Sequence, residues 1–227
     1  NGSALGSAVT LTSANITAGF VDITTGTLSE GSHAFTATVT DIAGNLSNAS
    51  AGYTVTIDTT APTVAPTIGS VSDDVAQYTG AVADGGVTND TTPTVRVSLS
   101  GTGAATGESI QLYSGTAALG SAVTLTSSHI ADGYVDITTG TLANGTTYTL
   151  NARLIDVAGN ASVASGNHTV TIDTVAPTSA PAIASVNDDV GPVTGTVGNG
   201  GETNDTTPTV RVRLNGTEAA TGSIVQL

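Results

Sequence analysis

Hydrophobic and polar residues alternate along much of this chain in short runs that turn residues interrupt. The run TVTID occurs at 54–58 and again at 169–173, and YVDIT at 134–138 follows the same pattern. A period of two is the pattern of a strand that buries one face. No helical periodicity of useful length occurs, so we expect an all-β protein.

Between residues 59 and 173 these runs predict seven strands, which we denote A to G. They lie at 67–72, 94–100, 109–113, 122–126, 134–138, 148–155 and 168–173. Seven short strands at this spacing, separated by Gly, Pro, Asn and Asp, are typical of an immunoglobulin-like β-sandwich.

The alternation also assigns side chains to faces of the predicted strand F. It places Leu154 in the core and Asn151 and Arg153 outside. Tyr148, at the start of F, occupies the tyrosine-corner position of such sandwiches. We expect His33 to be its counterpart in an earlier repeat.

The segment TNDTTPTVRV repeats exactly, from residue 88 and from residue 203, which is a shift of 115 residues. One such domain has about this size. The chain therefore divides into a complete repeat at 59–173, the back part of an earlier repeat at 1–58 (strands D to G), and the front part of a later one at 174–227 (strands A to C). The chain stops close to the repeat position at which it starts. This favours the hypothesis that successive copies complete each other's half-domains head to tail.

Composition excludes several classes of function. Four cationic residues stand against 18 acidic ones, for a net charge of −14, which rules out a nucleic-acid binder and argues against docking on anionic membranes. No apolar run is long enough for membrane insertion. His33, His129 and His168 have no metal spacing, and no Ser/His/Asp constellation occurs. We expect no catalysis.

Aspartates recur at fixed turns, and this is the main functional signal. Immunoglobulin topology places the A–B loop, with Asp90, beside the linker that leaves the unit at Asp173, and the F–G loop, with Asp156, beside the linker that enters at Asp58. Clustered carboxylates repel each other unless a cation intervenes, and Ca²⁺ prefers oxygen ligands. The alternative is that each aspartate forms its own turn.

A second, weaker candidate site is a pair of adjacent aspartates at the end of strand A. The pair is Asp73 with Asp74, and it repeats as Asp188 with Asp189. We expect the pair to reach the same end of the domain as Asp90. A calcium clip within the domain and a solvated turn both remain open.

Several motifs together resemble the bacterial immunoglobulin-like repeats of giant secreted adhesins. They are D-x-AGN before strand G, TVTIDT-x-AP across the linker, and DDV…TG-x-V…GG-x-TND-TTPT at the start of a unit. Those adhesins serve biofilm formation and host attachment. The resemblance covers essentially the whole chain and implies rod-like tandem domains outside the cell, with junctions that calcium stiffens. Carried over to matching positions, it implies Ca²⁺ ligands at Asp41, Asp58, Asp90, Asp156, Asp173 and Asp205, supplemented by Asn45 and Asn160.

We therefore expect a structural spacer that extends an adhesive tip, with neighbouring repeats as its partners. One alternative is the repeating subunit of an extracellular filament or sheath. Another is a glycan-binding module, for which Tyr113 and Tyr134 are the candidate exposed aromatics.

Overall fold

The computed structural model describes residues 5–227 and is almost entirely β. In chain order its elements are α1 Ser13–Ala18, β1 Gly31–Phe35, β2 Tyr53–Ile57, β3 Thr67–Asp73, β4 Gly80–Val82, β5 Gly86–Thr88, β6 Thr94–Ser98, β7 Ser109–Ser114, β8 Ala117–Thr124, α2 Ser127–Asp132, β9 Tyr134–Thr138, β10 Thr147–Ile155, β11 His168–Ile172, β12 Ala182–Asp188, β13 Gly195–Val197 and β14 Thr209–Arg213. Neither described helix is long and apolar enough to cross a membrane.

The middle of the chain forms a two-sheet sandwich. One sheet has the strand order β4-β3-β6-β9 and the other β5-β11-β10-β7-β8. The β5–β11 pair is parallel, and the remaining pairs are antiparallel. The prediction of an immunoglobulin-like sandwich is confirmed, and the predicted strands A to G correspond to β3, β6, β7, β8, β9, β10 and β11.

The flanking parts form smaller sheets from the same strands of the repeat. Strands β1 and β2 make a two-stranded sheet before the sandwich. Strands β12, β13 and β14 make a three-stranded sheet after it, in the order β13-β12-β14. Each small sheet reproduces pairings that also occur in the complete repeat.

Strand D was misplaced by the sequence pattern. The prediction put it at 122–126, whereas β8 spans Ala117–Thr124. It starts earlier because the chain turns at Gly115, in a left-handed conformation with φ of 59°, and then pairs at once with β7.

The all-β prediction is confirmed, and the structure adds a short helix that precedes β9 and has an equivalent in the first part of the chain. Helix α2 begins with a reciprocal cap between Thr126 and His129, and it ends at Gly133, whose φ of 75° is left-handed. Six residues are too few for a helical period to appear in the sequence, so only the cap and the glycine carry the signal. His129 is the third residue of the helix, and its ring Nδ1 accepts a hydrogen bond from the backbone N–H of the N-cap residue Thr126 at 3.2 Å.

The core lies between the two sheets and consists of small aliphatic side chains. Fully buried members include Val71, Val95 and Val97 from one sheet and Ile110, Leu150, Leu154, Val170 and Ile172 from the other. These are the inward positions that the period of two indicates, so the predicted facing of Leu154 is confirmed.

Asn151 lies on the strand face opposite the core residues Leu150 and Ala152, as predicted, but it is only 4% exposed. Its Nδ2 donates a hydrogen bond to the carbonyl of Gly115 at 2.9 Å. The β7–β8 turn folds over this part of β10, and the short amide satisfies a carbonyl that the turn leaves unpaired. Arg153, in contrast, stays half-exposed and donates to the Ser162 carbonyl at 3.2 Å.

The corner before β10 is closed by its aromatic residue. The hydroxyl of Tyr148 accepts a hydrogen bond from the backbone N–H of Ala143 at 2.8 Å. In the first part of the chain the ring Nε2 of His33 lies 2.7 Å from the carbonyl of Ser29. The predicted equivalence of Tyr148 and His33 is therefore confirmed, since both rings tie the start of the strand to the preceding loop.

We expect Leu154→Ala to lower the free energy of unfolding of the sandwich by about 2–5 kcal/mol, because it removes a buried side chain and leaves a cavity. The equivalent residue in the first part of the chain, Val39, is exposed. Val39→Ala should change the same transition by less than about 0.5 kcal/mol. Urea unfolding of both variants measures the difference, and equal losses would show that the core is not where the structure places it.

Candidate metal centre at the ends of the repeat

The A–B loop holds two buried carboxylates, Asp73 and Asp90, joined through one threonine. The Thr88 hydroxyl donates to Asp73 Oδ2 at 2.5 Å and accepts from the backbone N–H of Asp90 at 3.0 Å. All three residues are buried, and Asp90 is only 1% exposed. The strand-end pair therefore does lie at the same end of the domain as Asp90, as the sequence suggested.

Each of the two carboxylates also forms a local turn with one oxygen. Asp73 Oδ1 accepts from the N–H of Val75 at 2.7 Å, and Asp90 Oδ1 accepts from the N–H of Thr92 at 2.7 Å. This bond to the residue two positions ahead is the ordinary Asx-turn contact. It explains why the sequence TND-TTP folds into this loop.

The second carboxylate oxygen of Asp90 is different. Asp90 Oδ2 is buried and has no hydrogen-bond partner within the described residues. An unpaired buried carboxylate oxygen is costly, because desolvation is not offset by any contact. It is the feature of this loop that the turn geometry does not account for.

The same loop recurs in the last part of the chain. Thr203 donates to Asp188 Oδ2 at 2.6 Å and accepts from the N–H of Asp205 at 3.0 Å. Here Asp205 Oδ2 accepts a long bond of 3.4 Å from the N–H of Asp189. The arrangement is therefore specified by the local sequence, since it forms even without the rest of a sandwich. The side chains of Asp74 and Asp189 are exposed.

The linker that leaves the repeat runs past the A–B loop. The backbone N–H of Asp173 donates to the carbonyl of Thr88 at 2.8 Å, which places the linker two residues from Asp90 along the loop. The Asp173 carboxylate accepts from the N–H of Val175 at 3.0 Å. The structure thus brings Asp90 and Asp173 to one end of the domain.

The linker that enters the repeat runs past the F–G loop at the opposite end. The Nδ2 of Asn160 donates to the carbonyl of Asp58 at 3.1 Å and to Asp156 Oδ2 at 2.9 Å. Asp156 Oδ1 accepts from the N–H of Asn160 at 2.8 Å. A single asparagine therefore ties linker and loop together, which is the juxtaposition of Asp58 and Asp156 that topology indicates.

The first F–G loop has the same internal geometry. Asp41 Oδ1 accepts from the backbone of Ala43 and Asn45 at 2.9 and 2.8 Å, and its Oδ2 accepts from Asn45 Nδ2 at 2.9 Å. Hydrogen bonds from Asn45 and Asn160 lower the pKa of Asp41 and Asp156 below the usual carboxyl range. Both carboxylates are therefore held in the charged form.

These pairs do not by themselves make a metal site. Across residues 5–227 no three acidic or histidine side chains lie close enough to hold an ion. Within the described residues each junction brings together two acidic residues, Asp90 with Asp173 and Asp58 with Asp156. What the chain presents at its A–B end is one buried unpaired oxygen, a second carboxylate in the linker, and backbone carbonyls, which together suit a hard cation.

The three histidines serve the fold at separate places. His33 closes a corner, His129 caps α2, and His168 Nε2 lies 3.1 Å from the carbonyl of Val82. The tyrosines proposed for glycan contact are also apart, because Tyr113 lies on β7 and Tyr134 on β9, in different sheets. Each ring has an arginine over it, at 5.7 and 3.9 Å, so the two rings do not form one platform.

We expect Asn160→Ala to raise the pKa of Asp156 toward the ordinary value of about 3.9, since the Asn160 side chain is the largest cause of its depression. Because the folded pKa is depressed, the loop contributes stability above the unfolded pKa, and this contribution is lost as pH falls through the folded pKa. Carboxyl-detected NMR titration measures the shift.

The matched control is Asn45→Ala, which should raise the pKa of Asp41 and leave the pKa of Asp156 unchanged. An Asp156 titration that stays depressed in Asn160→Ala would contradict the assignment of the cause.

Comparison with known families places the first part of the chain. Residues 4–59 match a family model described as the bacterial Ig-like domain. No curated protein sequence matches the chain. The sequence of the matched segment recurs about 115 residues later, within the sandwich.

Proposed function

We propose that this chain is a structural spacer in a large bacterial adhesin, where calcium at the domain junctions stiffens the array and supports cell adhesion and biofilm formation. The match of residues 4–59 to the bacterial Ig-like domain and the recurrence of that segment later in the chain support this proposal. Domains of this family are common in bacterial surface proteins. The internal repeat supports the spacer role, because similar modules joined in tandem form a quasi-one-dimensional array.

The observation that carries the calcium part of the proposal is the buried, unpaired Oδ2 of Asp90. A cation at this position would replace the missing contact, and the linker carboxylate of Asp173 lies at the same end of the domain. In the assembled array the F–G aspartate of the following repeat supplies the third carboxylate. Bound calcium would supply charge neutralisation and cross-linking of loop to linker.

Because the chain carries a high net negative charge, we expect its junctions to stiffen only when a divalent cation is present. With a charge of −14, the chain is self-repulsive where divalent ions are scarce. Binding to the folded state alone raises stability by mass action. The junction is therefore flexible in the absence of calcium and rigid in its presence.

We expect the thermal midpoint of this chain to rise in millimolar calcium relative to a chelator. The gain is about 2.7 kcal/mol when calcium stands at about a hundred times its dissociation constant. In Asp90→Asn most of this calcium-dependent difference should vanish, because the unpaired oxygen is lost as a charged ligand. Calorimetric scans of each variant with and without calcium measure it.

The matched control is Asp132→Asn, which makes the same charge change at the exposed end of α2 and should keep the full calcium response. The thermal midpoint of each variant in calcium is compared with its own midpoint in chelator, so a general loss of stability does not change the measured difference. Identical midpoints in calcium and chelator for the unsubstituted chain would contradict the calcium role.

A further inference from the structure

We propose that Glu30 and Asn144 are positioning residues that fix the path of the chain as it leaves each repeat. Asn144 lies in the E–F loop, residues 139–146, and Glu30 lies at the equivalent place in the first part of the chain. Each accepts hydrogen bonds from the first threonine of the outgoing linker. Neither residue stood out in the sequence, because the two differ in type.

A glycine turn places each of these side chains beside the end of the last strand. The backbone N–H of Gly145 donates to the carbonyl of Ile172 at 2.8 Å, and Gly31 is the register partner of Ile57 between β1 and β2. Both glycines have a left-handed φ, 71° and 112°, which other residues adopt only with strain. The residue before each glycine therefore lies next to the chain that leaves the last strand.

Asn144 holds the linker that leaves the complete repeat. Its Oδ1 accepts a hydrogen bond from the backbone N–H of Thr174 at 2.7 Å. The preceding N–H, that of Asp173, donates to the carbonyl of Thr88 at 2.8 Å. Consecutive linker amides therefore bond to two different loops, E–F and A–B, and together these bonds fix the direction of the chain.

Glu30 holds the equivalent linker with three hydrogen bonds. Its Oε2 accepts from the backbone N–H of Thr59 at 3.0 Å and from the Thr59 hydroxyl at 2.6 Å. Its Oε1 accepts from the hydroxyl of Thr60 at 3.2 Å. A carboxylate can accept at both of its oxygens, whereas an amide side chain has only one acceptor oxygen.

The holding residue and the linker differ together between the two repeats. The linker reads IDTT at 57–60 and IDTV at 172–175. Thr60, whose hydroxyl is a donor, occurs where Glu30 provides a second acceptor oxygen. Val175, which has no side-chain donor, occurs where the second group of Asn144 is itself a donor. This match between donor and acceptor indicates a specific contact.

The contact acts on the linker and not on the core. Glu30, Asn144 and the threonines that they bind are exposed. Substitutions of exposed residues usually change the free energy of unfolding little. We therefore expect loss of either side chain to free the linker backbone locally while the sandwich stays folded.

The fixed path also sets where the linker aspartate lies, a point that rests on the proposed function. An aspartate, Asp58 or Asp173, immediately precedes each bonded threonine. In both linkers it accepts a hydrogen bond from the N–H two positions ahead at 3.0 Å. A ligand that is already in place loses less conformational entropy when the ion binds. Asn144 thus favours cation binding by Asp173 without being a ligand itself.

Asn144→Ala in the whole chain tests the proposal, first in chelator so that no cation contributes. We expect the NMR order parameter of the Thr174 amide to fall from a rigid value of about 0.85 to below about 0.6, because its N–H loses the acceptor. Urea unfolding of the sandwich should be nearly unchanged, which shows that the variant is folded.

The matched control is Asn199→Ala. Asn199 is also an exposed asparagine that precedes a glycine with a left-handed φ, Gly200 at 81°. It lies in the loop after β13, so its substitution should leave the Thr174 amide ordered.

The first repeat provides a rescue of the contact in the second. Asn144→Glu/Val175→Thr copies the arrangement of Glu30 with Thr59 and Thr60, and it should keep the Thr174 amide as ordered as in the unsubstituted chain. Asn144→Ala/Val175→Thr should not, because it adds a donor without an acceptor.

Calcium titration of the same variants separates this inference from the proposed function. Asn144→Ala should weaken calcium binding by about two- to tenfold in titration calorimetry, since Asp173 must then be ordered on binding. A chain that binds no calcium, but loses order at Thr174 in Asn144→Ala, supports the positioning role and rejects the calcium role. Calcium affinity that is unchanged in Asn144→Ala would overturn the link between the linker path and the cation site.

Two results would overturn the positioning role itself. One is a Thr174 amide that is as ordered in Asn144→Ala as in the unsubstituted chain. The other is an equal loss of order in Asn199→Ala.

Discussion

The interleaving of front and back strands in both sheets is the constraint on which the rest of this structure depends. In the complete repeat β6 needs β9, β7 needs β10, and β5 needs β11, so neither half of the unit satisfies its backbone alone. Unpaired strand edges and an open apolar face are both costly in water. The repeat is therefore stable as a whole and incomplete in any part.

This constraint separates two kinds of local structure in the chain. The A–B loop forms in both copies with the same hydrogen bonds, because its partners are a few residues apart: Thr88 with Asp73 and Asp90, and Thr203 with Asp188 and Asp205. Within residues 5–227 strand E forms once, as β9, because its partner belongs to the other half of the unit. Acidic turns are thus set by local sequence, and the sandwich by assembly of its halves.

The junctions follow from the same geometry. Asp173, the residue after β11, passes the A–B loop, and Asp58, the residue after β2, passes the F–G loop of the complete repeat. The aspartates that form the loop turns therefore lie beside the aspartates of the linkers. One oxygen of each A–B carboxylate is used by the turn, and at Asp90 the other is left buried and unpaired. A structural role and a cation-binding role are therefore compatible in the same residue.

Much of this architecture is predictable from sequence, because period-two alternation places valines and leucines such as Val97 and Leu154 in the core. The missed features have identifiable causes. Strands β4 and β5 have three residues each, and α2 has six, so none contains a full pattern. Asn151 is covered by a turn that comes from elsewhere in the chain. The unpaired oxygen of Asp90 depends on three-dimensional packing, and the sequence marks only the aspartate.

Hydrogen exchange at residues 20–24 tests the interleaving most directly. We expect these amides to exchange rapidly, because the strand that would pair with them belongs to the other half of their repeat, while the equivalent amides of β9, which pair with β6, stay protected. Protection of residues 20–24 equal to that of β9 would contradict the account.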